Sequence, residues 1–251
     1  MALFAWVCAA LIVLGTSVAQ AVEIKLISAG AVRSVVSELA ESFAKESGHS
    51  VKATFGTVGV VKNTLAAQPA DVVIASDTAI DQWSKDGTIV AGTRSDIARA
   101  GVGVGVREGA PKPDIATTEA FKQTILAAKS LVYVDPAQGA TSGIHFAGVL
   151  QKLGIADAVK GKTILWPGGY AAEAVQKGQA DVVVHQISEI LPVKGVTLVG
   201  PLPKDIQKIT IYSASLPTKV EQKDAAQTFI KYLVSPPAKA KFAAAGLDYK
   251  E

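Results

Sequence analysis

The side chains best placed to do chemistry sit where apolar runs give way to short loops of glycine, alanine, serine and threonine. The clearest case is Val134 to Gly154, VDPAQGATSGIHFAGVLQKLG. Leu131-Val132-Tyr133-Val134 reads as a buried strand that Asp135-Pro136 ends, because proline cannot donate to a ladder. Ala147, Leu150 and Leu153 then recur at helical spacing, and Gly154 stops the run. Thr141 and Ser142 therefore fall at a helix N-terminus. Free N–H groups and about half a positive charge there suit an anion or a polar oxygen. Read without a ligand, the same stretch is an ordinary helix start whose loop binds water.

Three more junctions have this form: Ala29-Gly30-Ala31, Gly56-Thr57-Val58-Gly59 and Gly168-Gly169-Tyr170. His185 and Gln186 end another apolar strand, Asp181 to His185. Ligands of open parallel sheets lie beyond the carboxyl ends of strands. Four loops there, two from each side of a cleft, can enclose one small solute. The candidate ligand-binding set is Ala29, Gly30, Ala31, Thr57, Val58, Gly59, Thr141, Ser142, Gly169, Tyr170, His185 and Gln186. Arg33 either reaches the cleft to clamp a carboxylate or stays solvated. His145 reads as a cap or packing residue and Trp166 as core.

Catalysis asks for a nucleophile beside a base, or paired carboxylates. Ser142 and His145 offer a serine and a histidine, but Gly139-Ala140-Thr141-Ser142-Gly143 lacks the G-x-S-x-G spacing of a nucleophile elbow. No catalytic residue is assigned. The three histidines have no close helical spacing, so neither a metal nor a cofactor is expected.

The elements that must hold these loops follow a repeated order. Ile24, Leu26 and Ile27 form a strand; Val32, Val35, Val36, Leu39 and Phe43 form the apolar stripe of a helix; Val51 to Phe55 is a second strand. A helix over Val60 to Ala67 leads to the buried run Asp71 to Ala75. Strand, loop, helix, strand is the grammar of a parallel α/β layer. The pattern recurs after residue 130. Between the two sets, Ile97 to Val106 (IARAGVGVGV) is a glycine-rich extended run with no glycine-to-helix junction. It reads as a strand crossing between lobes, not as a dinucleotide fingerprint. Ile206 to Ser213 reads as the return crossing. A helix over Gln222 to Val234 and a last short one ending at Gly246 close the chain.

The 251 residues carry a net charge of +3 with lysines dispersed, which gives nucleic-acid binding no electrostatic support. The uncharged opening MALFAWVCAALIVLGTSVAQA ends in Ala19-Gln20-Ala21, the form of a secretory signal. Removal after Ala21 takes away Cys8, the one cysteine, and leaves a disulfide-free chain suited to an oxidising compartment. No later apolar run is long enough to span a bilayer.

The leader, ADVVIASD, SGIHFAGVLQKLG and the ending FIKYLVSPPAKAKFAAAGLD resemble the molybdate-type periplasmic solute-binding proteins of ABC importers over nearly the whole mature chain. The resemblance implies an α/β, two-lobed periplasmic binding protein fold, with parallel-rich sheets flanked by helices and two inter-lobe crossings. Residues 1–21 would be the signal peptide, 22–100 with 205–251 one lobe, and 101–204 the other. It also implies a monomer that closes on a small anionic solute and docks on a membrane permease with its ATPase. Molybdate binders of this family place serine hydroxyls in the first two loops and usually a tyrosine after the last strand of the second lobe. Here those positions fall on Gly30, on Thr57-Val58-Gly59 and on His185-Gln186. Lost donors leave oxyanion oxygens unpaired, so an inorganic oxyanion and an organic anion both stay open.

Overall fold

The computed structural model describes residues 21–248, so the expected signal peptide, its last residue apart, lies outside the described residues. In chain order the elements are β1 (Glu23–Ala29), α1 (Arg33–Ser47), β2 (Ser50–Gly56), α2 (Val58–Ala67), β3 (Val72–Ser76), α3 (Asp77–Lys85), β4 (Ser95–Arg107), α4 (Thr118–Ala127), β5 (Leu131–Val134), α5 (Thr141–Lys152), α6 (Ala156–Lys160), β6 (Thr163–Trp166), α7 (Ala172–Gln176), β7 (Val182–Gln186), α8 (Ile187–Ile190), β8 (Val196–Pro201), β9 (Ile209–Ser215), α9 (Lys223–Leu233) and α10 (Pro236–Ala244). Short 3-10 turns at Gly30–Val32, Pro136–Gln138 and Lys204–Ile206 join some of them. Among the described residues no helix is long and apolar enough to cross a membrane.

The strands run in the order β2-β1-β3-β9-β4-β7-β5-β6, with β8 also paired to β4. Parallel pairs join β1 to β2 and β3, and β5 to β6 and β7. The pairs made by β4 and β9 are antiparallel. Thus the strand–loop–helix repeats build two parallel groups, and two antiparallel strands join them into one mixed sheet.

β4 serves both groups. Its first half pairs with β9 from Ser95 to Gly101, and its second half pairs with β7 and β8 from Val102 onward. The bare backbone at Gly103 has a steric cause: a Cβ there would lie 2.7 Å from the Ile187 side chain and 2.9 Å from the Gly200 carbonyl oxygen. The return runs through the turn at Lys204–Ile206, and Ile206 packs in the second core while Tyr212 packs in the first.

Alternating side chains send each strand to two cores. In the first group, Leu26, Val72 and Ile74 meet Val36, Phe43, Phe229 and Phe242 of α1, α9 and α10. Ile27 and Val73 face Val61, Ile80 and Trp83 of α2 and α3 on the other side. In the second group, Leu131, Tyr133 and Val184 meet Phe121, Phe146 and Leu150 of α4 and α5. Val132, Val134 and Val183 face Ala172, Val175 and Ile190 of α7 and α8. Tyr133 stands edge-on to Phe146 at 5.0 Å, fixing α5 against β5. This packing decides where the start of α5 points.

Candidate functional site

The carboxyl ends of β1, β2, β5 and β7 open on one cavity of about 230 Å3. Ala29, Gly30, Ala31, Thr57, Val58, Thr141, Ser142, Gly169 and His185 of the sequence-derived set line it, together with Arg33, Phe55, Glu189 and Tyr212. Gly59, Tyr170 and Gln186 do not line it. Larger hollows exist elsewhere, such as a groove of about 460 Å3 walled by Leu65, Trp83 and Pro217. That groove also carries Lys62, Asp86 and Lys219, but it lies away from the four junctions.

The start of α5 forms one wall. Gly143 allows it: a Cβ there would sit 2.1 Å from the Val134 carbonyl oxygen, so the helix begins flush against the end of β5. The cap position is Ala140, which offers no side-chain acceptor. The first N–H groups of α5 are therefore left for water or a ligand. Just upstream, Asp135 accepts from the Ala137 N–H and Gly139 takes φ 69°, so the loop is shaped by its own contacts.

Ser142 is buried, with Oγ 3.2 Å from His185 Nδ1. His185 Nε2 lies 3.0 Å from the Gly169 carbonyl oxygen. A carbonyl only accepts, so Nε2 carries a hydrogen. With Nδ1 bare, the Ser142 hydroxyl donates to it; with Nδ1 protonated, Ser142 accepts and its own hydrogen is free to turn into the cavity. The histidine thus sets which way Ser142 faces.

Glu189 is the residue that sequence reasoning missed. It stands one helical turn after His185, is 7 % exposed, and its Oε2 lies 3.6 Å from His185 Nδ1. Oε1 lies beside Gly30, 3.2 Å from where a Cβ would be. Burial raises its pKa, against the opposing charges of His185 and Arg33. A carboxylate inside an apolar stretch, Ile187-Ser188-Glu189-Ile190, was the available signal. Tyr212, from β9, was missed as well. Its hydroxyl lies 3.2 Å from Thr141 Oγ1 and accepts from Gln186 Nε2 at 3.2 Å. Burial first, and then Glu189, push the Tyr212 phenol pKa well up, so it stays neutral.

Four expected groups have other employment. Thr57 accepts from the Val60 N–H and donates its hydroxyl hydrogen to the Gln138 carbonyl across the cavity. Behind the wall, Gln186 Nε2 reaches Thr141, Thr210 and Tyr212, joining β7 to β9 and α5. Gly59 meets Gly139 back to back: a Cβ on Gly139 would lie 2.7 Å from the Gly59 Cα. Tyr170 packs half-buried against the α7 core, with a pKa raised first by burial and then by Glu189. Arg33 lines the cavity with its guanidinium carbon 4.8 Å from the Phe55 ring centre, held by stacking. His145 lies elsewhere, its Nε2 2.8 Å from the Ile206 carbonyl oxygen, with burial lowering its pKa.

Donors at a helix start, a stacked arginine and a buried acid thus meet around one small polar hollow. The sequence matches the model of the family described as bacterial extracellular solute-binding protein over residues 24–248. It is 30% identical over 220 residues to an aconitate isomerase from Pseudomonas sp, covering 85% of this chain and 82% of that protein. It is also 30% identical over 229 residues to the molybdate-binding protein ModA of Azotobacter vinelandii, covering 88% and 87%. The solved periplasmic molybdate-binding protein of Azotobacter vinelandii shares the fold with a TM-score of 0.76 at 20% identity, covering 91% of this chain and all of that one. The chain belongs to the bacterial extracellular solute-binding protein family.

Proposed function

We propose that this protein is the periplasmic receptor of an ABC importer for a small organic carboxylate. Residues 22–100 with 207–248 form one lobe and 101–206 the other, Ile206 packing with the second core in place of the expected break at 205, and the 230 Å3 cavity between them holds the solute. The single observation that carries this choice is the Glu189 carboxylate lying against Gly30. A bare tetrahedral oxyanion turns an acceptor toward this carboxyl whichever way it sits, whereas an organic acid can turn a hydroxyl or hydrocarbon part toward it and keep its own carboxylate on the other walls. The volume agrees, since at about 30 Å3 per water it has room for about seven waters, more than four oxygens around one centre require. Arg33 and the α5 amides are suited to the carboxylate, and closure follows from contacts that the solute makes with both lobes. The Thr57 bond to Gln138 supports a closed arrangement of the two walls.

A thermal-shift series tests this. A ligand at about 100 times its Kd adds about 2.7 kcal/mol of stability, which raises Tm by about 5–11 °C in a chain of this size. Malate, succinate and citrate are expected to include at least one such shift, and molybdate, tungstate and sulfate none. Shifts by molybdate and tungstate with none from the acids would overturn the proposal.

A second reading is favoured by Glu189 beside His185 and by the aconitate isomerase relative. In it, Glu189 takes a proton from one carbon of a bound unsaturated acid and returns it to another. Aconitate incubated with the protein would then be converted to its isomer, followed by proton NMR, and Glu189→Gln would stop it. Absence of conversion in the wild type sinks this second reading and leaves the receptor role standing.

A further inference from the structure

The cavity contains a contradiction that its ligand must resolve. Its amide and arginine groups attract a negative charge, yet one wall is a buried carboxyl whose oxygens accept no hydrogen bond from the described residues and whose ion-pair partner, His185 Nδ1, stands off at 3.6 Å. Two anions facing each other in so enclosed a space repel strongly, and an acceptor cannot hydrogen-bond to an acceptor. One hydrogen placed between them turns the repulsion into a short, charge-assisted bond. We propose that the anion is bound together with one proton held between Glu189 and the ligand. A ligand that brings a hydroxyl or un-ionised carboxyl hydrogen is then preferred over an equally charged one that brings none.

This rests on the cavity being the carboxylate site and specifies which carboxylates it takes. The groups facing Glu189 come from every wall. His185 on β7 is nearest, Arg33 on α1 acts through space, and Tyr170 and Tyr212 stand opposite as neutral phenols. Gly30 contributes no side chain. None of the four side chains lies within hydrogen-bond distance of the Glu189 oxygens, and Ser142 is committed to His185. A Glu189 that burial has made easier to protonate supplies the hydrogen when the ligand does not. When the ligand has a hydroxyl, Glu189 stays ionised and accepts from it. The proton inventory thus differs between two otherwise matched ligands.

Succinate and malate form such a pair, differing by one hydroxyl. Calorimetric titration of the full chain between about pH 6.5 and about pH 8.5 separates them, because both are largely dianions there. The succinate Kd is expected to rise with pH more steeply than the malate Kd, by up to about tenfold per pH unit, the limit for a difference of one proton. Repeating the titrations in buffers of different ionisation enthalpy counts that difference directly, near one proton more taken up with succinate than with malate. In Glu189→Gln, whose amide donates at every pH, the difference in slope and the preference for malate both disappear.

Equal slopes for succinate and malate in the wild type overturn the proposal, and that result needs no variant. A slope difference that survives Glu189→Gln places the proton elsewhere and overturns it too. Binding of neither acid removes the carboxylate reading instead. Hydrogen phosphate against sulfate, equal in charge and differing by a proton, then tests the shared proton separately. Phosphate bound more tightly supports it, and sulfate equal or better, or neither bound, overturns it.

Discussion

Helices α2 and α5 both begin at the cavity, and each begins with a small-residue loop carrying a hydroxyl. They use it in opposite ways. At α2, Thr57 caps the helix through the Val60 N–H and spends its hydrogen on the Gln138 carbonyl across the cavity. At α5 the cap position is Ala140, with no acceptor side chain, and Ser142 answers to His185. Of the helices that start away from the cavity, α3, α4 and α10 follow the first pattern, capped by Ser76, Thr117 and Ser235, while α6 and α9 start without a side-chain cap. A missing cap leaves stabilisation of about 0.5–2 kcal/mol unrealised. At α5 that deficit coincides with a polar cavity, so its amides stay free for the guest while those of α2 serve the fold. One motif therefore has two jobs, closure on one wall and capture on the other.

The harshest way to break this contrast is Gly143→Ala. Its methyl would enter the space 2.1 Å from the Val134 carbonyl oxygen, so the first turn of α5 must move off β5. Overpacking of this kind costs about 1–3 kcal/mol, which lowers Tm by about 2–12 °C in a protein of this size. Affinity for the carboxylate identified by thermal shift should fall more than about tenfold, because the amides lose their aim. Calorimetry on the folded fraction measures it. Unchanged affinity would mean that the start of α5 does not hold the ligand.

The sequence makes the frame legible because burial and periodicity are local properties. Val72 to Ala75 and Val182 to Val184 read as buried strands, and the glycines of β4 mark close approach. Elements with little apolar signature escape it. α3 has two buried anchors, Ile80 and Trp83, in an otherwise polar segment, and β8 is only partly buried along most of its length. The small-residue junctions locate the cavity, since all four contribute residues that line it together. What each hydroxyl does there is settled by partners far along the chain. Thr57 meets Gln138 and Ser142 meets His185, at separations of 81 and 43 residues. Glu189 is hidden for the same reason: nothing local in Ile187-Ser188-Glu189-Ile190 tells that its carboxylate turns toward Gly30.

Ser142→Ala sharpens the comparison more gently. It removes the hydroxyl that His185 holds at the capturing wall, a donor to the ligand when Nδ1 carries the hydrogen of their bond, and leaves the helix start in place. The expected loss is about tenfold in Kd, near 1.4 kcal/mol, within the range for a hydrogen bond to a charged group. The apo Tm should move less than about 2 °C, because no apolar contact is lost and His185 keeps its bond to the Gly169 carbonyl. A Kd equal to that of the wild type would take Ser142 out of the site.

The smallest effect on affinity is expected from Thr57→Val, which keeps the shape of the side chain and deletes both its cap and its bond to Gln138. Its consequences belong to stability. Loss of an N-cap costs about 0.5–2 kcal/mol, so the apo Tm should fall by about 1–8 °C. Kd should weaken less than about threefold, through an open form that is easier to populate and not through a lost ligand contact. The ratio of the two variants is the discriminating quantity. Ser142→Ala should move Kd and spare Tm, whereas Thr57→Val should move Tm and nearly spare Kd. If Thr57→Val weakens binding as much as Ser142→Ala, its hydroxyl must leave Gln138 for the ligand when the site fills. In that case the two walls share the work of capture, and the division between closing and capturing helices fails.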